Sequence, residues 1–453
     1  MNLDEETCFE AISSRDERFD GRFFTGVKTT GIYCRPVCPA RTPMRRNVVF
    51  FPCAAAAEEA GFRPCLRCRP DAAPGSPAWL GTSVTVRRAL RVLNEGALDG
   101  RSVGDLAATL GVGERHLRRL FQDEVGASPL AIALTRRVHF ARKLIEETDL
   151  GMTEVALAAG FGSLRSFNVA MKRTFVRSPR ELRRRPVARL EKLVLAIPVE
   201  EPYALEPLLA FLGKRAIPGV ETVASGLYRR TFRWEGRAGV LEVRGVEGGL
   251  ELTVPAWSTP GLHRIVARVR RLFDVDADSR RIDAHLARDP LLRPLVRARP
   301  GLRVPGAWDG FELAVRAILG QQVSVKGATT LAGRLVAAHG EKLGDGFLFP
   351  ERSVVAKAPL EKIGLPRARA ASIRAVAESP ITFAEHDLEE RLLEVPGIGP
   401  WTASYVALRL GEPDAFPASD LVLRRVFGPR AEERTRSLRP WRGYAALHVW
   451  STP

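Results

Sequence analysis

The sequence predicts a multidomain α+β protein: a small cysteine-rich module, then an all-α segment, then an α+β lobe and a mainly α domain. Three observations carry this. The 453 residues exceed by about threefold the ~150 expected for one domain. All six cysteines fall within the first 68 residues. Apolar periodicity is helical over residues 102–121 and 151–175, turns to strand alternation near 240–254, and is helical again from about 260. Hydrophobic residues make up 45% and charged residues 27%, as in folded globular proteins. The bias lies in charge: 69 Lys+Arg stand against 52 Asp+Glu, and 60 of the 69 are arginine. A net charge of +17 makes a polyanion the first partner to consider.

The opening MNLDEETCFE is acidic and no apolar stretch follows it, so it does not read as a secretory signal. No uninterrupted apolar run reaches 18 residues, so no membrane partner is expected. A cytoplasmic protein follows, and in a reducing compartment clustered cysteines read as metal ligands before disulfides. Net charge is +1 over residues 1–80, +9 over 81–189 and +7 over 190–453. Composition shifts mark seams at 71–81 (DAAPGSPAWLG), at 183–192 (RRRPVARLEK) and, more softly, at 299–306 (RPGLRVPG).

Cys34-x3-Cys38 is followed after 26 residues by Cys65-x2-Cys68. Two close pairs separated by a loop suit tetrahedral Zn²⁺, each pair supplying two thiolates from one tight turn. No histidine precedes His116, so the site would be all sulfur. Spacing alone reads as a structural zinc replacing a core too small to stand by itself. Cys8 and Cys53 have no close partner in sequence and read as buried thiols.

The stretch TTGIYCRPVCPARTPMRRNVVFFPCAAAAEEAGFRPCLRCRP, residues 29–70, closely resembles the N-terminal zinc domain of Ada, the bacterial sensor of DNA methylation damage. The resemblance implies that Cys34, first of the four ligands, accepts a methyl group from a methylated DNA phosphate. Metal-bound thiolates stay deprotonated at neutral pH and are soft nucleophiles suited to displacement at a methyl carbon. Four thiolates on Zn²⁺ carry a net −2; methylating one leaves −1 and lowers repulsion from DNA, which is the logic of a switch.

In SVGDLAATLGVGERHLRRLF (102–121), Val103, Leu106, Ala107 and Leu110 precede a turn at Gly111, and Leu117, Leu120 and Phe121 follow it: helix, turn, helix. GMTEVALAAGFGSLRSFNVAMKRTF (151–175) repeats the arrangement around Gly160-Phe161-Gly162. Two such units suit successive major grooves. The pair, with its closing SP-x-ELR, resembles the AraC-type DNA-binding domain. On that resemblance Arg165 and Asn168 are expected to read bases, and Arg118, Lys172 and Arg173 to touch phosphate.

The centre of the last third is LLEVPGIGPWTASYVALRL, 392–410, in which Gly397-Ile398-Gly399 joins two helices. Such a turn lets backbone N–H groups at a helix N-terminus face a DNA phosphate. With DAFPASDLVLRR (414–425) it looks like a helix-hairpin-helix DNA glycosylase. FLGKRAIPGVETVASGLYRRTF (211–232) and RARPGLRVPGAWDGFELAVRAILGQQVSV (297–325) extend the resemblance to the AlkA type of 3-methyladenine glycosylase over roughly 195–453. It implies Asp420 as the catalytic carboxylate, Trp401, Tyr405 and Trp450 as the base pocket, and Gly397, Ile398, Gly399, Thr402, Gln321 and Gln322 as DNA contacts. Asp420 is equally placed to cap the helix that follows it, and the two roles are compatible.

One carboxylate suffices because a base alkylated at a ring nitrogen is already cationic and leaves without a general acid. The sugar then acquires oxocarbenium character, which a carboxylate stabilises. The nucleotide must first be flipped out of the duplex, and electron-rich aromatics grip the cationic base by stacking and cation–π contact. Strand-cutting relatives carry a Schiff-base lysine two residues after the hairpin's last glycine; Trp401 stands there, so a base-only enzyme is expected. No cysteine follows Cys68, so no iron–sulfur cluster is expected. Gln322 occupies the place where the family's reference member inserts a wedge leucine. The Pro-Cys-His-Arg nucleophile of a second Ada methyltransferase domain is missing, so direct reversal of O6-methylguanine is not expected.

These resemblances divide the chain into 1–76 (small zinc-binding domain), 77–189 (all-α double helix-turn-helix), 190–302 (α+β lobe) and 303–453 (helix-hairpin-helix glycosylase). They imply a fusion of a damage-sensing regulator with a glycosylase, acting on double-stranded DNA at lesions and promoters, with RNA polymerase as a further partner and a nucleoid location in a bacterium. Two alternatives are an enzyme whose first 190 residues are only a DNA-binding tether, and a regulator whose glycosylase half is inactive. Retention of Asp420 opposes the second; the complete cysteine set and both reader units oppose the first.

Overall fold

The computed structural model describes residues 4–16, 19–68, 70, 84–183, 191–384 and 387–452. The seam at 71–81 and residues 184–190 of the seam at 183–192 lie outside them. The chain forms two compact units: Met1–Pro198 together with Ala256–Ala267, and Val199–Pro255 together with Arg268–Pro453.

The first unit opens with α1 (Glu5–Ser14), whose N-cap Asp4 accepts the Thr7 N–H at 2.8 Å. Strands β1 (Phe24–Val27), β2 (Ile32–Cys34) and β3 (Val48–Phe51), helix α2 (Ala54–Glu59) and the short β4 (Arg63–Pro64) complete the cysteine module. The sheet order is β3-β1-β2-β4, with β2 and β4 parallel. Its interior is two small clusters, Phe24, Tyr33 and Ala57 in one, Cys8, Ala11, Ile12, Phe23 and Val48 in the other. Cores of that size leave a metal with work to do.

Seven helices follow: α3 (Val84–Asn94), α4 (Val103–Thr109), α5 (Glu114–Val125), α6 (Pro129–Glu147), α7 (Met152–Ala158), α8 (Leu164–Phe175) and α9 (Pro179–Leu182). A Ser102–Asp105 capping box starts α4, and Gly111, at φ +66°, makes the turn into α5. Gly160, at φ +82°, does the same between α7 and α8, which Ser163 caps. Leu106, Leu110, Leu117, Phe121, Phe167 and Met171 are buried, as their spacing requires. Strand β5 (Lys192–Pro198) alternates exposed and buried residues.

In the second unit α10 (Leu205–Lys214) precedes an antiparallel meander of β6 (Glu221–Ala224), β7 (Leu227–Trp234), β8 (Arg237–Val246) and β9 (Gly249–Pro255). Helix α11 (Leu262–Leu272) begins in the first unit and ends in the second, where α12 (Ser279–Leu286), α13 (Arg293–Ala298), α14 (Gly310–Leu319) and α15 (Val325–His339) follow. A two-residue hairpin, β10 (Lys342–Leu343) and β11 (Gly346–Phe347), interrupts the helices. Then follow α16 (Arg352–Lys357), α17 (Arg367–Glu378), α18 (Leu388–Leu393), α19 (Pro400–Arg409), α20 (Leu421–Phe427), α21 (Ala431–Arg434) and α22 (Arg442–Trp450).

Helix α19 serves two cores of this unit: Ala403, Val406 and Leu410 enter one, Ala407 and Leu408 the other. Residues 301–306 are buried, whereas Pro300 before them is exposed. Arg303 is fully buried because its guanidinium reaches the carbonyls of Asp274 (3.1 Å) and Glu200 (3.0 Å) and the Ser279 hydroxyl (3.3 Å). Strand and helical parts are further joined by buried ion pairs, Arg230–Glu312 and Arg316–Glu221, each at 2.8 Å. Among the described residues no helix is long and apolar enough to cross a membrane.

Candidate functional site

Three candidate sites emerge. The four sulfurs of Cys34, Cys38, Cys65 and Cys68 lie within 4.8 Å of one another. β2 ends on Cys34; the turn after it returns Cys38, whose N–H reaches the Arg35 carbonyl at 3.1 Å. The Cys65 N–H reaches the Tyr33 carbonyl at 2.9 Å, bringing the second pair alongside. Tetrahedral zinc with ~2.3 Å bonds needs sulfurs roughly 3.8 Å apart, and this donor set fits it. Hydrogen bonding among the sulfurs holds the Cys38 thiol below its ordinary value and the Cys34 thiol above it. The Arg35 N–H points at the Cys68 sulfur (3.4 Å), and its guanidinium is anchored on Asp20 (2.8 Å). Cys8 and Cys53 are buried outside the cluster, each pushed up to about 11 by burial. Cys53 also caps α2, accepting the Ala56 N–H at 3.4 Å.

The second helices of the two helix-turn-helix units, α5 and α8, differ in charge. On α8, Arg165, Asn168, Lys172 and Arg173 are all exposed, and no acidic residue occurs on the helix. On α5, Arg118 is exposed but tied to Glu114 of its own helix at 2.7 Å.

The third site gathers around α19. Gly397, at φ +84°, packs so closely on α17 that a Cβ would stand 1.9 Å from the Ser372 hydroxyl, so only glycine fits. Gly399 is the N-cap of α19 with open space around its Cα, and no side chain caps the helix. Ile398 and Thr402 are buried, at 5% and 3% exposure. The Gln321 amide donates to the Gly397 carbonyl (3.0 Å) and the Thr402 hydroxyl (3.1 Å), so it braces the hairpin. Gln322 is exposed beside it in the left-handed region, at φ +57°, an uncommon conformation for a side-chain-bearing residue.

Asp420 is the N-cap of α20: Oδ1 accepts the N–H groups of Val422 (2.9 Å) and Leu423 (3.1 Å). Two indoles also donate to this carboxylate, Trp401 Nε1 to Oδ2 at 2.9 Å and Trp450 Nε1 to Oδ1 at 3.1 Å. Trp401 and Tyr405, one helical turn apart on α19, stack with centroids 5.1 Å apart and planes 7° apart; Trp450 leans on Tyr405 at 6.3 Å and 58°. All four are only partly buried. One residue not expected from the sequence completes the group. Arg409, a further turn along α19, donates to the Tyr405 hydroxyl at 2.7 Å and to the Gly306 carbonyl at 2.7 Å. Burial alone would raise the Tyr405 phenol, but the guanidiniums of Arg409, Arg215 and Arg316 bring it below its ordinary value. The signal for Arg409 was its i+4 spacing from Tyr405 on the same helix face.

Three family profiles match the chain: the metal binding domain of Ada over residues 7–71, a helix-turn-helix domain over 106–185, and the AlkA N-terminal domain over 194–309. A Mycobacterium tuberculosis protein described as a probable bifunctional transcriptional activator/DNA repair enzyme AlkA is 44% identical, covering 100% of this chain and 97% of its own length. DNA-3-methyladenine glycosylase 2 of Escherichia coli is 34% identical over 56% of this chain and 95% of its own. The solved 3-methyladenine DNA-glycosylase of Archaeoglobus fulgidus has the same fold as the C-terminal part, with a TM-score of 0.50 at 21% identity, covering 56% of this chain and 96% of that one. On the strength of the full-length match, the chain belongs to the family of bifunctional AlkA proteins that join an Ada-type zinc module and helix-turn-helix domain to a DNA glycosylase.

Proposed function

We propose that this protein releases alkylated bases from double-stranded DNA with Asp420 and senses methylated DNA phosphates with Cys34. The observation that carries the enzymatic reading is the convergence of two indole N–H groups on a helix-capping carboxylate beside a stacked Trp–Tyr pair. The aromatic group receives the flipped cationic base. When the C1′–N bond breaks, its electron pair goes to the departing base and neutralises it, so no proton donor is needed. Asp420, held rigid by its four hydrogen-bond donors, faces the positive charge that develops on the sugar. Water adds at C1′ and loses its proton. With Trp401 at the Schiff-base position, the enzyme releases the base without cutting the strand, and with no cysteine after Cys68 it works without an iron–sulfur cluster.

Zinc, when bound by Cys34, Cys38, Cys65 and Cys68, keeps their sulfurs deprotonated. The Cys34 sulfur then attacks the methyl carbon of a phosphotriester: an S–C bond forms, the C–O bond breaks, and the electron pair remains on the phosphate. Arg35, anchored on Asp20 beside the cluster, is placed to meet that phosphate. The basic helix α8 reads the promoter, and Gln322 fills the space left by the flipped base. RNA polymerase is the partner that a promoter-bound activator meets.

Incubating the full chain with methylated DNA tests both halves. Asp420→Asn should abolish release of 3-methyladenine while DNA binding persists; undiminished release would sink the enzymatic role. Mass spectrometry should find one methyl group on the peptide holding Cys34, and methylation at Cys8 or Cys53 alone would reduce the cluster to structural zinc.

A further inference from the structure

We infer that Glu58 joins the zinc module to the reader domain and that this junction carries the state of Cys34 to the recognition helix α8. The proposal rests on the reading of Cys34 as the methyl acceptor, and adds how the signal leaves it. Tyr33 immediately precedes Cys34 on β2 and is fully buried; its carbonyl already holds the Cys65 N–H. Its hydroxyl donates to Glu58 Oε1 at 2.9 Å and lies 3.1 Å from His139 Nε2. His139 Nε2 is itself 2.8 Å from Glu58 Oε1, and the Thr135 hydroxyl donates to Oε2 at 2.7 Å. Thr135 and His139 are one turn apart on α6, so a single carboxylate on α2 ties the ligand strand to the long reader helix. The His139 ring then stands edge-on against Phe175, the last residue of α8, at 5.9 Å and 90°, and the Arg142 guanidinium covers the Phe175 ring at 5.2 Å.

A second set of contacts reaches the other recognition helix. The Cys53 thiol donates to the carbonyl of Val125, which ends α5, at 3.3 Å. Glu59 accepts from the N–H (3.3 Å) and hydroxyl (2.8 Å) of Ser128, the N-cap of α6. One face of the zinc module therefore fixes the C-terminal ends of both α5 and α8.

A buried carboxylate is costly unless its acceptors are filled. Burial would push Glu58 up, yet His139 and the hydroxyls of Thr135 and Tyr33 hold it below the usual carboxylate range. Such a junction is stiff, so a small change at β2 is passed on instead of absorbed. Methyl transfer supplies that change, because it converts the Cys34 ligand from a thiolate to a thioether. A switch working only by reduced repulsion from DNA would need none of these contacts.

The test compares the wild-type chain with Glu58→Gln. Both are methylated with DNA containing methylphosphotriesters, the extent is read by mass spectrometry, and affinity is measured for a DNA site selected from random sequence by the methylated wild type. Wild type should gain affinity on methylation; Glu58→Gln should be methylated to the same extent yet lose most of the gain. An equal gain in the variant would overturn the junction and leave charge alone as the switch. Should Glu58→Gln fail to fold, Tyr33→Phe, which keeps the ring and removes the hydroxyl, decides in its place. Absence of methyl on wild-type Cys34 would instead sink the acceptor reading. The junction is then judged by hydrogen exchange after zinc chelation: amides of α8 should exchange faster in wild type, and unchanged exchange would overturn it.

Discussion

Four sulfurs drawn from β2, the turn after it and the segment after β4 make the N-terminal centre, whereas one carboxylate, two indoles and a phenol on α19, α20 and α22 make the other. Behind the sulfurs stand two small clusters, around Tyr33 and Phe23. Behind the carboxylate stand two large cores that share α19. A small core leaves its site to be held by a metal; a large one holds reactive groups through packing and hydrogen bonds alone. The contrast predicts different failures.

The largest is expected on metal removal. A structural zinc is worth on the order of 10 kcal/mol to a small domain, so chelation should unfold the N-terminal module and end methyl acceptance, read by circular dichroism and mass spectrometry. Base release should stay within about twofold of the untreated enzyme if the second centre is built by its fold. A parallel collapse of base release would break the comparison. Next comes Asp420→Asn. Losing an electrostatic stabiliser typically costs about 10²–10³ in rate, while the asparagine oxygen still caps α20 and its amide nitrogen gives up the Trp401 bond, so kcat should fall far more than the thermal transition. Collapse of the fold instead would show that Asp420 holds the pocket up as well as serving it.

Arg409→Met is expected to have a smaller effect. A hydrogen bond to a charged group is worth about 1.5–3 kcal/mol, so freeing the Tyr405 hydroxyl should lower kcat/KM for alkylated DNA by roughly tenfold or more, without altering methyl transfer to Cys34. A rate unchanged from wild type would remove Arg409 from the pocket's support. The smallest effect concerns acid. His448 on α22 is kept uncharged by burial, with Arg299 adding to it, and its folded value is about 4 against an ordinary 6.5. The unfolded chain therefore takes up the proton first, and stability present above about 6.5 is lost as pH falls towards 4. His448→Leu should flatten that decline in urea titrations of the full chain; an unchanged slope would assign the acid sensitivity elsewhere.

The division between what the chain announces and what it conceals follows sequence distance. Cys34, Cys38, Cys65 and Cys68 pair by local spacing, and Trp401, Tyr405 and Asp420 sit within one hairpin and the helix after it, so short motifs suffice to bring them together. The roles expected of Trp401, Tyr405, Asp420 and Trp450 alike came through the family resemblance, and Trp450 lies 30 residues beyond the carboxylate it touches. The Tyr33–Glu58–His139 junction was not legible: its partners are 25 and 81 residues apart, and a lone buried histidine or glutamate carries no local signature. The burial of residues 301–306 was not legible either: proline and glycine there imitate a linker, and the Asp274 and Glu200 carbonyls that Arg303 reaches are 29 and 103 residues away.

The four hydrogen bonds on Asp420 bear on fidelity. Every contact it makes is as an acceptor: two backbone N–H groups and two indoles. A group so occupied is poorly placed to hand a proton to a departing purine. On the proposed mechanism, an ordinary adenine or guanine, which needs such a proton to leave, stays attached even when it visits the pocket. Sparing the vast excess of intact bases then requires no act of recognition, because the lesion brings its own means of departure.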